Sequence, residues 1–341
     1  MVVHGSGIVQ TFDRPRRRSY LTEHMEHRTL GTSDLQVSAV GLGTWAMGND
    51  FFGAVDDTES VGAIQAAIDS GVSLIDTAPA YGAGHAEEVV GRAIAGRRDS
   101  VVLATKCGII RTADDFVRNL KPESIRREID DSLRRLGVET IDLYQIHWPD
   151  PDTPLEDSVN ELLKQQQAGK FRYLGVSNFP PELLDQIRSM TNVVSTQPQY
   201  SMLDRRIEAD VLPYVREHGM GVLSYGTLAG GILTGKFREI PSFDEGDNRS
   251  AFYDFFREPL WSGIQALLDE IRAVAADRGV TPAQVAINWT FRQPGVSTAL
   301  VGAKRADQAI ANAAAGEWTL SDEEVDRITR AIDTHVGRPS A

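Results

Sequence analysis

Four apolar runs in this chain each stop on side chains that can move or hold a proton, and that pattern restricts the fold more than any other feature. They are Leu74-Ile75-Asp76-Thr77-Ala78 with Tyr81 close behind, Val101-Val102-Leu103-Ala104-Thr105-Lys106, Ile141-Asp142-Leu143-Tyr144-Gln145-Ile146-His147, and Tyr173-Leu174-Gly175-Val176-Ser177-Asn178. A barrel of parallel strands brings such residues together, because the carboxyl ends of its strands meet at one rim.

The same strand–helix unit repeats along the chain. Asp57-Thr58 offers an N-cap before Val61, Ile64, Ala67 and Ile68, which recur at helical spacing, and Gly71 ends that helix. Strands over 39–43, 74–76, 101–105, 141–146, 172–176, 193–197, 221–225 and 298–301 alternate with helices over 86–94, 122–136, 155–168, 181–190, 208–218, 261–277, 282–292 and 306–313. An open doubly wound sheet shares this local pattern; the strand count favours closure. The expected fold is therefore an α/β (β/α)8 TIM barrel. Residues 29–31 and 35–38, joined by Thr32-Ser33-Asp34, predict an N-terminal β-hairpin that could plug the barrel floor. A long loop, 226–259, follows the seventh strand, where a lid would lie, and extra helices close the chain.

Residues 25–341 are read as one barrel domain. Residues 1–24 carry Arg14, Arg16, Arg17 and Arg18 without an apolar period and are read as a disordered leader. The 341 residues, 41% hydrophobic, supply a large core. The start lacks the apolar region of a secretory signal, and no run approaches the ~20 apolar residues of a membrane span. Cys107 is the only cysteine, which excludes an internal disulfide and fits a cytoplasmic setting. The 48 acidic against 35 basic residues, a formal charge of -13, argue against nucleic acid and anionic membranes as partners.

Asp76, Tyr81, Lys106 and His147 make chemical sense together. A phenol titrates near 10, and an adjacent ammonium is expected to lower that value. An aspartate would hold the ammonium, and an imidazole could orient a carbonyl oxygen. The set suits proton transfer to or from oxygen and lacks a nucleophile–base pair of the hydrolase kind. Taken singly, each has an ordinary role: a helix cap, a loop aromatic, a solvated strand end, a buried imidazole.

Asp76-Thr77-Ala78 with Tyr81-Gly82 and Glu87, Leu103-Ala104-Thr105-Lys106, Gln145-Ile146-His147-Trp148-Pro149, Gly175-Val176-Ser177-Asn178-Phe179 and Ser224-Tyr225-Gly226-Thr227-Leu228 resemble the aldo-keto reductases in order and content. The resemblance spans about residues 28–332, and Tyr225-Gly226 with Leu233-Thr234-Gly235-Lys236 is similar to bacterial members associated with inositol operons. It implies a reversible, NADPH-dependent reduction of aldehydes or ketones. Tyr81 would be the general acid, Lys106 and Asp76 would tune it, and His147 would position the carbonyl. NADPH rather than NADH would lie extended over the barrel without a Rossmann domain. Ser177, Asn178 and Gln197 match carboxamide-binding positions, and Tyr225, beside Gly226, matches the ring that stacks on nicotinamide. Gly43, Thr44 and Trp45 lie where the family approaches nicotinamide and substrate. Leu228, Gly230 and Lys236 match the stretch over the pyrophosphate.

Gly302, Lys304 and Arg305 stand between the last strand and a helix start, a place that attracts phosphate. In the family this segment holds the adenosine 2′-phosphate, and Gln308 and Asn312 match adenosine contacts. His85 replaces the Ser common in relatives and is read as a surface residue. Trp45, Phe51, Phe52 and Trp148 are expected at the pocket mouth, with Phe243 or Trp261 as additions, suiting a small carbonyl or sugar-like substrate. Two other readings are a cofactor-binding regulatory subunit with little turnover and a barrel metallohydrolase. The second needs clustered ligands, and of seven His residues four lie outside the barrel span, so no metal is expected. The oligomeric state, the favoured direction and the substrate are left open.

Overall fold

The computed structural model describes residues 25–112 and 115–337; the expected leader, 1–24, lies outside them. The strands are β1 His27–Thr29, β2 Gln36–Ser38, β3 Val40–Gly43, β4 Leu74–Asp76, β5 Val102–Cys107, β6 Ile109–Arg111, β7 Phe116–Arg118, β8 Ile141–Ile146, β9 Phe171–Ser177, β10 Ser195–Gln197, β11 Gly221–Ser224 and β12 Thr298–Gly302. Eight of them close a barrel in the order β10-β11-β12-β3-β4-β5-β8-β9, and each neighbouring pair is parallel. This is the TIM barrel expected from the strand count.

Parallel strands covered on both faces bury polar as well as apolar residues. Every residue of β8 is buried. Asp142 at its lower end is tolerated there because Arg98 and Arg172 pair with it at 2.7 and 3.1 Å, and because it accepts the Leu103 N–H.

The helices are α1 Asp57–Asp69, α2 His85–Ile94, α3 Pro122–Leu136, α4 Leu155–Gln167, α5 Pro181–Arg188, α6 Val211–His218, the short α7 Arg249–Phe252, α8 Leu260–Arg278, α9 Pro282–Phe291, α10 Ala306–Ala313 and α11 Asp322–His335. Asp56 rather than Asp57 caps α1, its side chain accepting the Glu59 N–H. Helix α3 matches the expected span, opening on Pro122 and closing on left-handed Gly137. The C-terminal α11 starts on a Ser321–Glu324 capping box.

The floor hairpin pairs His27 with Ser38 through Thr29 with Gln36, so its arms are displaced from the expected 29–31 and 35–38. Leu30 instead turns inward and is fully buried, packing in a cluster with Leu35, Val37, Leu74, Ala104, Leu143, Val194, Leu223 and Leu300. Burying a leucine this way is worth about 1.5–3 kcal/mol, more than one further pair of strand residues. The chain can bend there because Gly31 has φ +53° and sits where a Cβ would lie 2.0 Å from the Val194 carbonyl oxygen.

A second hairpin, β6 with β7, was not anticipated. Its first arm continues the β5 run, and only the break at Gly108, φ +90°, separates the two.

The 226–259 loop forms a strap over the upper rim. Its Asp247 bridges Phe52 in antiparallel fashion, and the Asn248 N–H donates to the Phe51 carbonyl at 2.9 Å. Lys304 Nζ donates to the Phe52 carbonyl at 2.6 Å from the end of β12.

Candidate active site

The four strand-end residues meet. Lys106, at 0% exposure, donates from Nζ to Asp76 Oδ2 at 2.6 Å, to the Thr77 carbonyl at 2.9 Å and to the Tyr81 hydroxyl at 3.3 Å. The His147 ring stands edge-on to the Tyr81 ring with centroids 5.8 Å apart. Asp76 Oδ1 accepts from Gln145 Nε2 at 3.0 Å and Gln197 Nε2 at 2.9 Å. Both carboxylate oxygens are thus occupied, and Asp76 can buttress Lys106 without competing for the Tyr81 proton.

Local backbone explains the aim of Tyr81. It opens a turn, Tyr81–Gly84, in which Gly82, Ala83 and Gly84 all take left-handed φ values of 61°, 53° and 95°. For Ala83 that conformation costs about 1–2 kcal/mol, so the surroundings must enforce it. Trp45 stacks on Tyr81 with centroids 6.1 Å apart. Behind the turn, buried Glu87 accepts from Thr105 Oγ1 and from Arg135 Nε, each at 2.6 Å, tying α2 to β5 and α3.

Burial dominates the protonation states. It pushes the Tyr81 phenol well above its ordinary value, and the Asp76 charge adds to that. The expected lowering by Lys106 is therefore overturned, because desolvation and a nearby carboxylate outweigh one ammonium. The resting phenol is protonated, the form an acid needs. Burial also pulls His147 well below its usual range, helped by the Lys106 charge, so the imidazole is neutral. Lys106 itself is lowered by burial, against the pull of Asp76.

The amide side chains cluster beside this group. Ser177 Oγ donates to the Gln197 carbonyl at 2.7 Å, and Asn178 Nδ2 to the His147 carbonyl at 3.1 Å. Tyr225 donates from its hydroxyl to Asn178 Oδ1 at 3.0 Å. Gln197 commits its amide nitrogen to Asp76 and leaves its oxygen to accept. Gly43 pairs with Asp76 and with Gly302 at the rim, while the Thr44 hydroxyl is spent on the Asp76 carbonyl at 3.0 Å. Gly226 has φ +74°, a left-handed value that suits glycine.

Beyond β12, helix α10 begins at Ala306 with no cap from the Arg305 side chain, and the Asp307 carboxylate accepts from the backbone of Asp307 and Gln308 in its first turn. Gln308 Oε1 accepts the Lys304 N–H at 2.8 Å, and Asn312 donates to the Gly302 carbonyl at 3.3 Å. Arg305 pairs with Asp307 at 3.1 Å. Lys304 is lowered by burial and by the neighbouring charges of Arg249 and Lys236, with Asp247 opposing. Crowded cations of this kind are relieved by an anion. Arg249 was not recognised from sequence. It lies in a strap without periodicity, and folding brings it to Asp247 and to the Gly230 carbonyl at 3.1 Å.

An aromatic mouth forms around Trp45, with Phe51 at 4.4 Å, Phe52 at 5.2 Å and Phe252 at 5.8 Å between centroids. Phe252 comes from the strap and replaces the expected additions. Phe243 packs instead on Phe237 and Phe256, and Trp261 is buried in the main core. Trp148 carries the Arg118 guanidinium over its ring at 4.9 Å. His85, expected at the surface, is half-buried and bonded to Asp57 at 2.8 Å.

Residues 39–333 match the model of the aldo/keto reductase family. The glycerol dehydrogenase AKR11B4 from Gluconobacter oxydans superposes with a TM-score of 0.85 at 41% identity, covering 92% of this chain and 97% of that one. Aldo-keto reductase YhdN of Bacillus subtilis (strain 168) is 37% identical over 318 residues, 92% of this chain and 96% of its own. The NADH-specific methylglyoxal reductase of Escherichia coli (strain K12) is 34% identical over 316 residues, 88% of this chain and 96% of its own. This chain belongs to the aldo/keto reductase family. As such it is an oxidoreductase that acts on carbonyl compounds with a nicotinamide cofactor.

Proposed function

We propose that the chain is an NADPH-dependent reductase of small aldehydes or ketones, reversible to the alcohol, with Tyr81 as general acid. One observation carries this reading: the buried Lys106 ammonium reaches both Asp76 and the Tyr81 hydroxyl, at 2.6 and 3.3 Å.

The residues present fit the cofactor. Asn178 and the free oxygen of Gln197 suit the carboxamide, Tyr225 offers a ring face, and the cations Lys304, Arg249 and Lys236 beside β12 suit a phosphate. Gly302, Arg305, Gln308 and Asn312 frame the adenosine end, and Leu228 and Gly230 open the strap. When bound, the nicotinamide supplies the hydride. The protein's own residues handle the proton. Tyr81 gives its hydroxyl proton to the carbonyl oxygen and becomes a phenolate beside the Lys106 ammonium, which stabilises it. Neutral His147 offers an N–H to the same oxygen and holds the carbonyl at the phenol. The Trp45, Phe51, Phe52 and Phe252 mouth packs on C–H surface and excludes water.

Two relatives are named for glycerol and methylglyoxal, which supports a small, oxygen-rich substrate for this chain. One of them is named as NADH-specific; the cation group beside β12 is the reason to favour NADPH here. The test is turnover of 4-nitrobenzaldehyde and methylglyoxal with each cofactor, in the natural chain and in Tyr81→Phe. Loss of turnover in the variant, with tryptophan quenching by NADPH retained, is the expected result. Normal turnover in Tyr81→Phe would remove the acid assignment, and faster turnover with NADH would remove the cofactor preference.

A further inference from the structure

The turn that carries Tyr81 makes no side-chain cap of its own. Its grip comes from the loop after β3. Asp50 Oδ2 accepts the Gly82 N–H at 2.9 Å. Gly48 lies so close beneath that a Cβ on Gly82 would sit 2.1 Å from the Gly48 carbonyl oxygen. The same Asp50 oxygen pairs with Arg111 on β6, in the chain leaving Lys106. One carboxylate therefore joins the β3 loop, the Tyr81 turn and the exit from β5.

Asp50 does not sit there for its own stability. Its side chain is 9% exposed, and Oδ1 is buried without a hydrogen-bond partner among the described residues. A buried acceptor left without a donor destabilises a fold, and such groups persist where a site needs them. The Gly82 nitrogen is two bonds from the Tyr81 Cα, so any slip of that peptide moves the phenol. Arg111 neutralises the carboxylate, which leaves position rather than charge as its means of action.

We infer that Asp50 is a positioning residue for Tyr81: by holding the Gly82 peptide it sets the distance from the phenol to Lys106 and to the substrate oxygen. This rests on Tyr81 being the general acid, and the test separates the two. A misplacement of about 1 Å costs up to about 100-fold in rate. In the full chain, Asp50→Ala lowers kcat about 10- to 100-fold while KM and NADPH affinity stay within about twofold. Asp50→Asn, which keeps an oxygen for the Gly82 N–H, recovers most of the loss. In a Tyr81→Phe background Asp50→Ala costs nothing further, because its effect passes through the phenol.

Unchanged kcat in Asp50→Ala overturns the inference. So does an Asp50→Asn as impaired as Asp50→Ala, or a second loss of equal size in the double variant. Should Asp50→Ala fail to fold, Asp50→Ser, too short to reach Gly82, takes its place in the same comparison. Full turnover in Tyr81→Phe alone would instead remove the acid assignment, and this inference with it.

Discussion

The Asp76–Tyr81–Lys106–His147 group and the strap over the upper rim are built by different means. Asp76 and Lys106 sit on barrel strands, His147 directly beyond one and Tyr81 on the turn that follows another, and buried hydrogen bonds join Lys106 to Asp76 and Tyr81. The strap is mostly irregular chain, anchored by Ile232, Leu233, Tyr253 and Phe256 in the core and joined to the β3 loop by Asp247 on Phe52 and Asn248 on Phe51. Rigid elements hold reacting atoms to fractions of an ångström, whereas loops on such a scaffold can open and shut. On the function proposed above, the difference leaves chemistry to the rim and cofactor retention to the strap.

The sharpest way to break this division is Tyr81→Phe. It removes the proton donor and should lower kcat about 1000-fold, as general acid catalysis commonly contributes, with cofactor affinity unchanged by fluorescence titration. A strap-like effect, weaker binding with normal kcat, would contradict the division.

The rigid side also carries buried ionisable groups, so its stability should depend on pH. Glu128 is pushed up to about 7 by burial, although the Gly108 N–H and Ser124 pull it down. Its folded value is raised, so its contribution to stability is full below about pH 4.5 and lost as pH rises through about 7. Glu128→Gln should remove that slope and stabilise the protein at pH 8 by up to about 3 kcal/mol. Urea unfolding of both forms at pH 5 and pH 8 measures it.

On the strap side, Lys304→Met should weaken NADPH binding about 10- to 100-fold, the worth of one charge-assisted bond, and leave NADH binding alone. Equal weakening of both would move the phosphate elsewhere.

The smallest effect is expected from Asn248→Pro. It removes the N–H given to Phe51 at a residue whose φ is −90°, close to proline's range. NADPH release should quicken about tenfold, with no change in single-turnover reduction by stopped flow.

Much of this was legible in the chain. Apolar runs alternating with helical periods predict a parallel sheet, their count of eight favours closure, and residues 122–136 read as a helix opening on Pro122. The strand-end residues were readable because a barrel directs the carboxyl ends of all its strands to one rim. The strap was only a long gap in the pattern. Arg249 and Phe252 have no period to reveal them, and their roles arise from contacts with Trp45, Gly230 and Asp247. Hairpin β6–β7 was hidden because its first arm reads as more of β5.

By itself the sequence determined the alternation of barrel strands and helices and which side chains end those strands, since these follow from local periodicity, while the count of eight strands pointed to closure. Tertiary structure alone decided the protonation of Tyr81, the clasp of the strap and the placement of Asp50. Each of those depends on desolvation or on contacts between segments far apart in the chain, and neither leaves a trace in local spacing.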